Sequence, residues 1–145
     1  VIVTCQDARI NPYESLGIKL GTTHIVRNAG GHALRSIIIA QQLLDTRDIA
    51  IFHHTGCGLT KFTTSEIVDT IKKNASPEKA AEVAQALEQF PDFQEFKDVE
   101  GSVKEDVEFL KGYALLLPDT KVMGWVHHVE DGRVRSSDAC VFNSR

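Results

Sequence analysis

The sequence predicts an α/β fold: a mostly parallel central sheet with helices on its faces and an antiparallel C-terminal edge strand. Short runs rich in β-branched residues, at 1–4, 23–27 and 49–53, are separated by stretches whose apolar residues recur at helical spacing. Strand, helix and strand in that order imply a right-handed parallel crossover. Near the C-terminus, Asp131-Gly132 joins an alternating run at 121–129 to residues 133–135, which is the signal of a hairpin and so of an antiparallel partner.

Each element has a local reason. Val1, Ile2 and Val3 favour a buried strand, and a polar loop, Cys5-Gln6-Asp7-Ala8-Arg9, follows it. In Asn11-Pro12-Tyr13-Glu14 the Asn caps a short helix and Pro takes its first position; Gly17 closes it. Residues 23–27 form a second strand that runs into Asn28-Ala29-Gly30-Gly31, where paired glycines permit a tight turn or a close backbone approach. Between His32 and Leu44, the residues Leu34, Ile37, Ile38, Ala40 and Leu44 give a helix packed on the sheet, and residues 49–53 form the third strand.

Thr63-Thr64-Ser65-Glu66 contains a capping box and opens a helix to about Lys73. An Ala- and Glu-rich helix begins at Ser76-Pro77 and ends near Phe90-Pro91; its thin apolar face places it on the outside. Phe93 and Phe96 anchor an irregular stretch, and Phe62, Phe90, Phe93 and Phe96 are expected in the core, with a subset lining an apolar pocket. Ser102-Val103-Lys104-Glu105 reads as a second capping box. Val103, Val107, Leu110 and Ala114 are then the buried stripe of a helix that stops before Pro118. The expected organisation is one domain over residues 1–135 and a loose C-terminal tail over 136–145.

Composition narrows the function. A chain of 145 residues with a quarter of them charged is that of an ordinary soluble domain. Its net charge of −4 gives no reason to expect DNA, RNA or an anionic membrane as partner. No apolar stretch is long enough to cross a bilayer, and no basic-then-apolar leader is expected from these residues, although the sequence opens directly on a strand without a Met. Three cysteines at irregular spacing argue against a disulfide framework and for a reducing compartment, the cytoplasm or an organelle matrix. Cys140 lies in the polar tail and is expected to be a bystander. A nucleotide cradle at residues 28–31 is discounted because the G-x-G-x-x-G pattern is absent.

The chemistry is concentrated at two strand ends. The third strand finishes in His54-Thr55-Gly56-Cys57, and the first finishes near Cys5. Imidazole and thiolate are good zinc ligands, and a bent H-x-x-C loop can aim both at one point. Adjacent parallel strands put their carboxyl ends on one rim, which makes Cys5 the expected third ligand. The plain alternatives are buried inert thiols for Cys5 and Cys57 and a loop-stabilising ion pair for Asp7 and Arg9. His53 alternates to the face opposite His54 and is expected to be a packed strand residue. His24, His32, His127 and His128 are expected to be surface or core histidines.

Cys5-x-Asp7-x-Arg9 together with His54-x-x-Cys57 resembles the β-class carbonic anhydrases. Arg27-Asn28-Ala29-Gly30, Gly58, the helix around Ser102 and Gly124-Trp125-Val126 before an Asp-Gly hairpin match in the same order, over roughly residues 1–135. The resemblance implies Zn2+ bound by Cys5, His54 and Cys57, with a fourth position left for water, and hydration of carbon dioxide by metal-bound hydroxide. Two thiolates offset both charges of zinc, so turnover is expected to rise as the pH goes above neutrality. Asp7 is implied to orient the hydroxide or, alternatively, to bind the metal and close the site. Arg9 is implied to hold Asp7 off the metal, so that Arg9→Ala keeps its zinc but loses activity. Gly58 is implied to offer its backbone N–H to a substrate oxygen.

Two other functions fit the same residues. One is hydrolysis of carbon disulfide or carbonyl sulfide at the same zinc. The other is a non-catalytic zinc-binding module with Asp7 as fourth ligand. The expected partners are a small triatomic substrate and a second copy of the chain, as a homodimer or a dimer of dimers.

Overall fold

The computed structural model describes residues 1–137. Five strands form one sheet: β1 (Ile2–Cys5), β2 (Ile25–Asn28), β3 (Asp48–His54), β4 (Lys121–His128) and β5 (Arg133–Ser136). Their spatial order is β2-β1-β3-β4-β5; the first four are parallel, and β5 is antiparallel to β4. The helices are α1 (Pro12–Ser15), α2 (Leu34–Leu44), α3 (Thr64–Asn74), α4 (Ala80–Leu87) and α5 (Val99–Lys111), with single 3-10 turns at Gly58–Thr60 and Pro77–Lys79. The α/β architecture with an antiparallel edge is therefore as expected. No helix among the described residues is long and apolar enough to cross a membrane.

The main core lies where α2 and α5 meet the sheet. Ile37 and Ala40 of α2, and Val103, Val107 and Leu110 of α5, pack against Val3, Ile49, Ile51, Val122 and Val126. The alternate residues of β3 face the other way, where Phe52 stacks on Trp125. Helix α5 comes unusually close to the sheet. A side chain at Gly124 would begin 2.4 Å from Val103 and 2.9 Å from Val107, so only glycine fits there.

Caps follow the sequence at two helices. Asn11 accepts the Tyr13 N–H at 3.2 Å, and Thr63 and Glu66 form the reciprocal box that opens α3. Helix α4 has no buried residue and stays outside, as its composition requires.

The structure corrects five details. Helix α5 begins at Asp98, whose carboxylate accepts the Gly101 N–H at 2.6 Å, so Ser102 is a buried residue inside the helix and caps nothing. The same helix ends at Lys111, which leaves Ala114 outside it and exposed. In α2 the buried edge runs through Ile37, Ala40 and Gln41, while Leu44 is exposed. Gln41 can be buried because its amide donates to Thr120 Oγ1 and accepts from the Leu117 N–H. Phe62 and Phe90 are exposed and do not belong to the core; Phe90 stacks on Phe93. Finally, β5 runs to Ser136, one residue beyond the edge strand expected at 133–135, and the Ser137 N–H bonds to Gly124 O at 2.9 Å. The rest of the expected tail, Cys140 included, lies outside the described residues.

Candidate metal centre

β1 and β3 are neighbours in parallel register, so their carboxyl ends emerge on the same rim. Cys5 ends β1 and His54 ends β3, and a turn through Gly56, in a left-handed conformation at φ 65°, brings Cys57 back towards them. The Cys5 and Cys57 sulfurs and a His54 ring nitrogen all lie within 4.8 Å of one another, and all three residues are buried. Around a tetrahedral zinc the same atoms stand about 3.5–3.8 Å apart, given metal–ligand distances of about 2.0–2.3 Å. The donors present therefore fit such an ion.

The environment prepares these atoms as ligands. His54 Nδ1 donates to the Thr55 carbonyl at 2.9 Å, which fixes the tautomer and leaves Nε2 as the acceptor. That Nε2 is buried and has no hydrogen-bond partner among the described residues. Backbone N–H groups of Asp7 and Gly30 point at the Cys5 sulfur, and that of Leu59 at Cys57. The Cys5 thiol is lowered, chiefly by the hydrogen bond from the Cys57 thiol and despite burial, with the two backbone N–H groups assisting. Cys57 is pushed up, first by Cys5 and then by burial.

Asp7 and Arg9 stand beside this group. Arg9 Nε and Nη2 donate to the two carboxylate oxygens at 2.9 and 2.8 Å, and the Arg9 backbone N–H adds a third bond at 2.9 Å. Arg9 Nη2 also reaches the Gly56 carbonyl at 3.1 Å, which ties the pair to the His54–Cys57 turn. The Arg9 guanidinium, followed by its backbone N–H, holds the Asp7 carboxyl well below the usual carboxylate range. Asp7 Oδ2 is 3.9 Å from His54 Nε2, beyond hydrogen-bond reach. Gly58 is exposed, with nothing within 4 Å of where a side chain would start. Ile10, Leu59, Phe96 and Val129 pack around the two cysteines as an apolar wall. An open cavity of about 400 Å³ adjoins the Asp7–Arg9 loop, between Tyr13, Ile25 and Arg27.

Several contributors were not legible in the sequence. Arg27 donates to the Cys5 and Asp7 carbonyls at 3.1 and 2.6 Å and so fixes the backbone that carries both side chains. Its signal was its position: it lies opposite Thr4 on the neighbouring strand. Thr55 donates to Glu130 and accepts the Val129 N–H, which moors the turn to the end of β4. His53, a packed strand residue as its alternation indicated, has Ser102, Asp106, His32 and Phe96 around it. Of the remaining histidines, His127 is buried opposite His54 on β4 and its pKa is lowered, mainly by burial, while His24 is exposed.

Comparison with known proteins adds to this geometry. The sequence profile of the family described as carbonic anhydrase matches residues 1–134. Beta-carbonic anhydrase 1 of Mycobacterium tuberculosis is 34% identical over 137 residues, covering 92% of this chain and 78% of its own length. The carbon disulfide hydrolase of an Acidianus species is 30% identical over 160 residues, covering 98% of this chain and 78% of its own. Among solved structures, a carbonic anhydrase from Glaciozyma antarctica superposes with a TM-score of 0.84 at 40% identity, covering 93% of this chain and 79% of that one.

Proposed function

We propose, from the premise that this chain belongs to the β-class carbonic anhydrase family of lyases, that it binds zinc through Cys5, His54 and Cys57 and catalyses the reversible hydration of carbon dioxide to bicarbonate and a proton. The observation that carries this reading is the buried His54 Nε2, which has no hydrogen-bond partner among the described residues and lies within 4.8 Å of two sulfurs. A buried polar atom without a partner is costly, and a metal is the partner that a neutral imidazole and two thiolates jointly prefer. Zinc held in this way would supply a Lewis acid that makes water nucleophilic at and above neutral pH.

The chain's own residues do the rest. Asp7 is kept ionised by Arg9, so it accepts a hydrogen bond from the attacking water and orients a lone pair for attack. Arg9 keeps that carboxylate in place through two parallel bonds, a geometry that lysine cannot reproduce. Ile10, Leu59, Phe96 and Val129 give an apolar, water-poor wall suited to a small uncharged gas. The Gly58 N–H is assigned to a substrate oxygen. Domain limits of about 1–135, a reducing compartment for the two free cysteines and a homodimer or dimer of dimers belong to the same proposal.

The test is metal analysis joined to a stopped-flow carbon dioxide assay on the parent, Cys57→Ser and Asp7→Ala. One zinc per chain and alkaline-rising hydration are expected in the parent. Cys57→Ser should lose both, and Asp7→Ala should keep its zinc and lose roughly 10–100-fold in kcat. Zinc without hydration in alkaline buffer would favour a non-catalytic module in which Asp7 is the fourth ligand. A second reading, hydrolysis of carbon disulfide, is favoured by the Acidianus relative, which matches 98% of this chain. Running both substrates on one preparation separates the two.

A further inference from the structure

Directly before the proposed ligand His54 lies a side chain enclosed on every side. The His53 ring has no exposed surface, and both its nitrogens are engaged: Nδ1 with Ser102 Oγ at 2.6 Å and Nε2 with Asp106 Oδ2 at 3.1 Å. Ser102 and Asp106 are four residues apart on α5, hence on one face of it. The same Asp106 oxygen lies 3.4 Å from His32 Nδ1. His32 follows Gly30-Gly31, and the Gly30 N–H is one of the groups aimed at the Cys5 sulfur. A side chain on Gly31 would begin 3.3 Å from the His53 ring, so the glycine turn is packed directly on it. Phe96 stacks on the other side of His53 at 5.3 Å and also packs on the Cys5–Cys57 cluster.

One carboxylate therefore touches His53 at the end of β3 and His32 just after the glycine turn, and through His53 it supports the aromatic wall. All three abut the proposed metal ligands. A half-buried acid held by one enclosed and one half-buried imidazole adds little stability over apolar side chains of similar volume, so packing alone does not account for it. What it adds is direction, since hydrogen bonds fix a ring or a loop to within a fraction of an ångström and apolar contacts do not.

We propose that Asp106 is a positioning residue for the metal centre: through His53 and His32 it sets the aim of the His54 ring and of the Gly30 N–H that steadies the Cys5 sulfur. The inference rests on the reading that Cys5, His54 and Cys57 hold a divalent ion.

The test uses the full chain with Zn2+ and Co2+. Zinc affinity is measured by chelator competition, and the cobalt form is compared by its ligand-field and thiolate-to-cobalt charge-transfer absorption. In Asp106→Asn the zinc affinity should fall roughly tenfold to a hundredfold and the cobalt bands should shift. Leu110→Ala, a core cavity on the same helix, should lower Tm while leaving affinity and spectrum at parental values. Asp106→Asn with affinity within twofold of the parent and superimposable cobalt bands would overturn the inference. If that variant does not fold, Ser102→Ala decides: a shift of the bands in the same direction supports the inference, and an unchanged spectrum overturns it. A parent that binds neither ion would overturn the metal reading first and this inference with it.

Discussion

His53 and His54 are consecutive residues at the end of one strand, each only 1% exposed, yet their rings are treated in opposite ways. On the α5 face, His53 has a partner at both nitrogens and aromatic contacts besides. On the opposite face, His54 spends one nitrogen on a neighbouring carbonyl and keeps the other buried without a partner among the described residues. Equal burial and identical chemistry thus separate into a structural joint and a candidate metal ligand. The distinguishing quantity is hydrogen-bond satisfaction read together with the neighbours: His32 Nε2 is also buried without a partner among the described residues, but His54 Nε2 belongs to the group in which two sulfurs and a ring nitrogen lie within 4.8 Å.

Matched substitutions sharpen that contrast. Asn retains a donor close to Nδ1 of the ring and removes Nε2. His54→Asn should therefore keep the Thr55 contact but lose zinc and roughly a thousandfold in hydration rate, about 4 kcal/mol of barrier. Metal analysis and stopped-flow rates measure this, and unfolding of the metal-free protein should change by less than about 1 kcal/mol. His53→Asn should do the reverse to stability, costing about 3 kcal/mol in urea unfolding of the metal-free chain, because Asp106 loses a buried partner. If the two variants destabilise the metal-free protein equally, the contrast is void.

The smallest expected effect lies in acid. Burial alone would raise Asp106, but its hydrogen bonds to His32 and His53 pull harder and hold it at about 2, against an ordinary 3.8. A depressed carboxyl contributes stability that is present above its unfolded value and disappears as pH falls through the folded one. Roughly 2 kcal/mol should therefore be lost between about pH 4 and pH 2. His32 is raised, mainly by its bond to Asp106, so its contribution is complete below 6.5 and is lost as pH climbs through the raised value. Urea midpoints of the metal-free protein across these windows should show both limbs. The acid limb should shrink in His53→Asn and persist in His54→Asn.

Much of this was legible in the sequence because it is local. The β-branched runs, the Asn11-Pro12 start, the Thr63/Glu66 box and the Asp131-Gly132 turn are decided by near neighbours. The convergence of Cys5, His54 and Cys57 was legible too, because strand ends on one rim bring distant residues together by topology. The start of α5 was not. Ser102-x-x-Glu105 satisfies the capping rule as well as Asp98 does, and only the burial of Ser102 against His53, 49 residues away, removes it from a helix end. The Asp106 contact spans 53 residues and has no local signature beyond the i, i+4 spacing. Gln41 and the exposed Phe62 and Phe90 fail the simple rule that apolar means inside for the same reason: long-range partners, or their lack, set the outcome.

Gly124 gives this arrangement its gauge. Any methyl there would press on Val103 and Val107 and lift α5 from the sheet. Ser102 and Asp106 ride on that helix, so the lift would stretch their reach to His53 while leaving the sequence around the sulfurs untouched. The tolerance of the proposed metal centre at one rim is in this way set by a single hydrogen atom in the middle of a neighbouring strand.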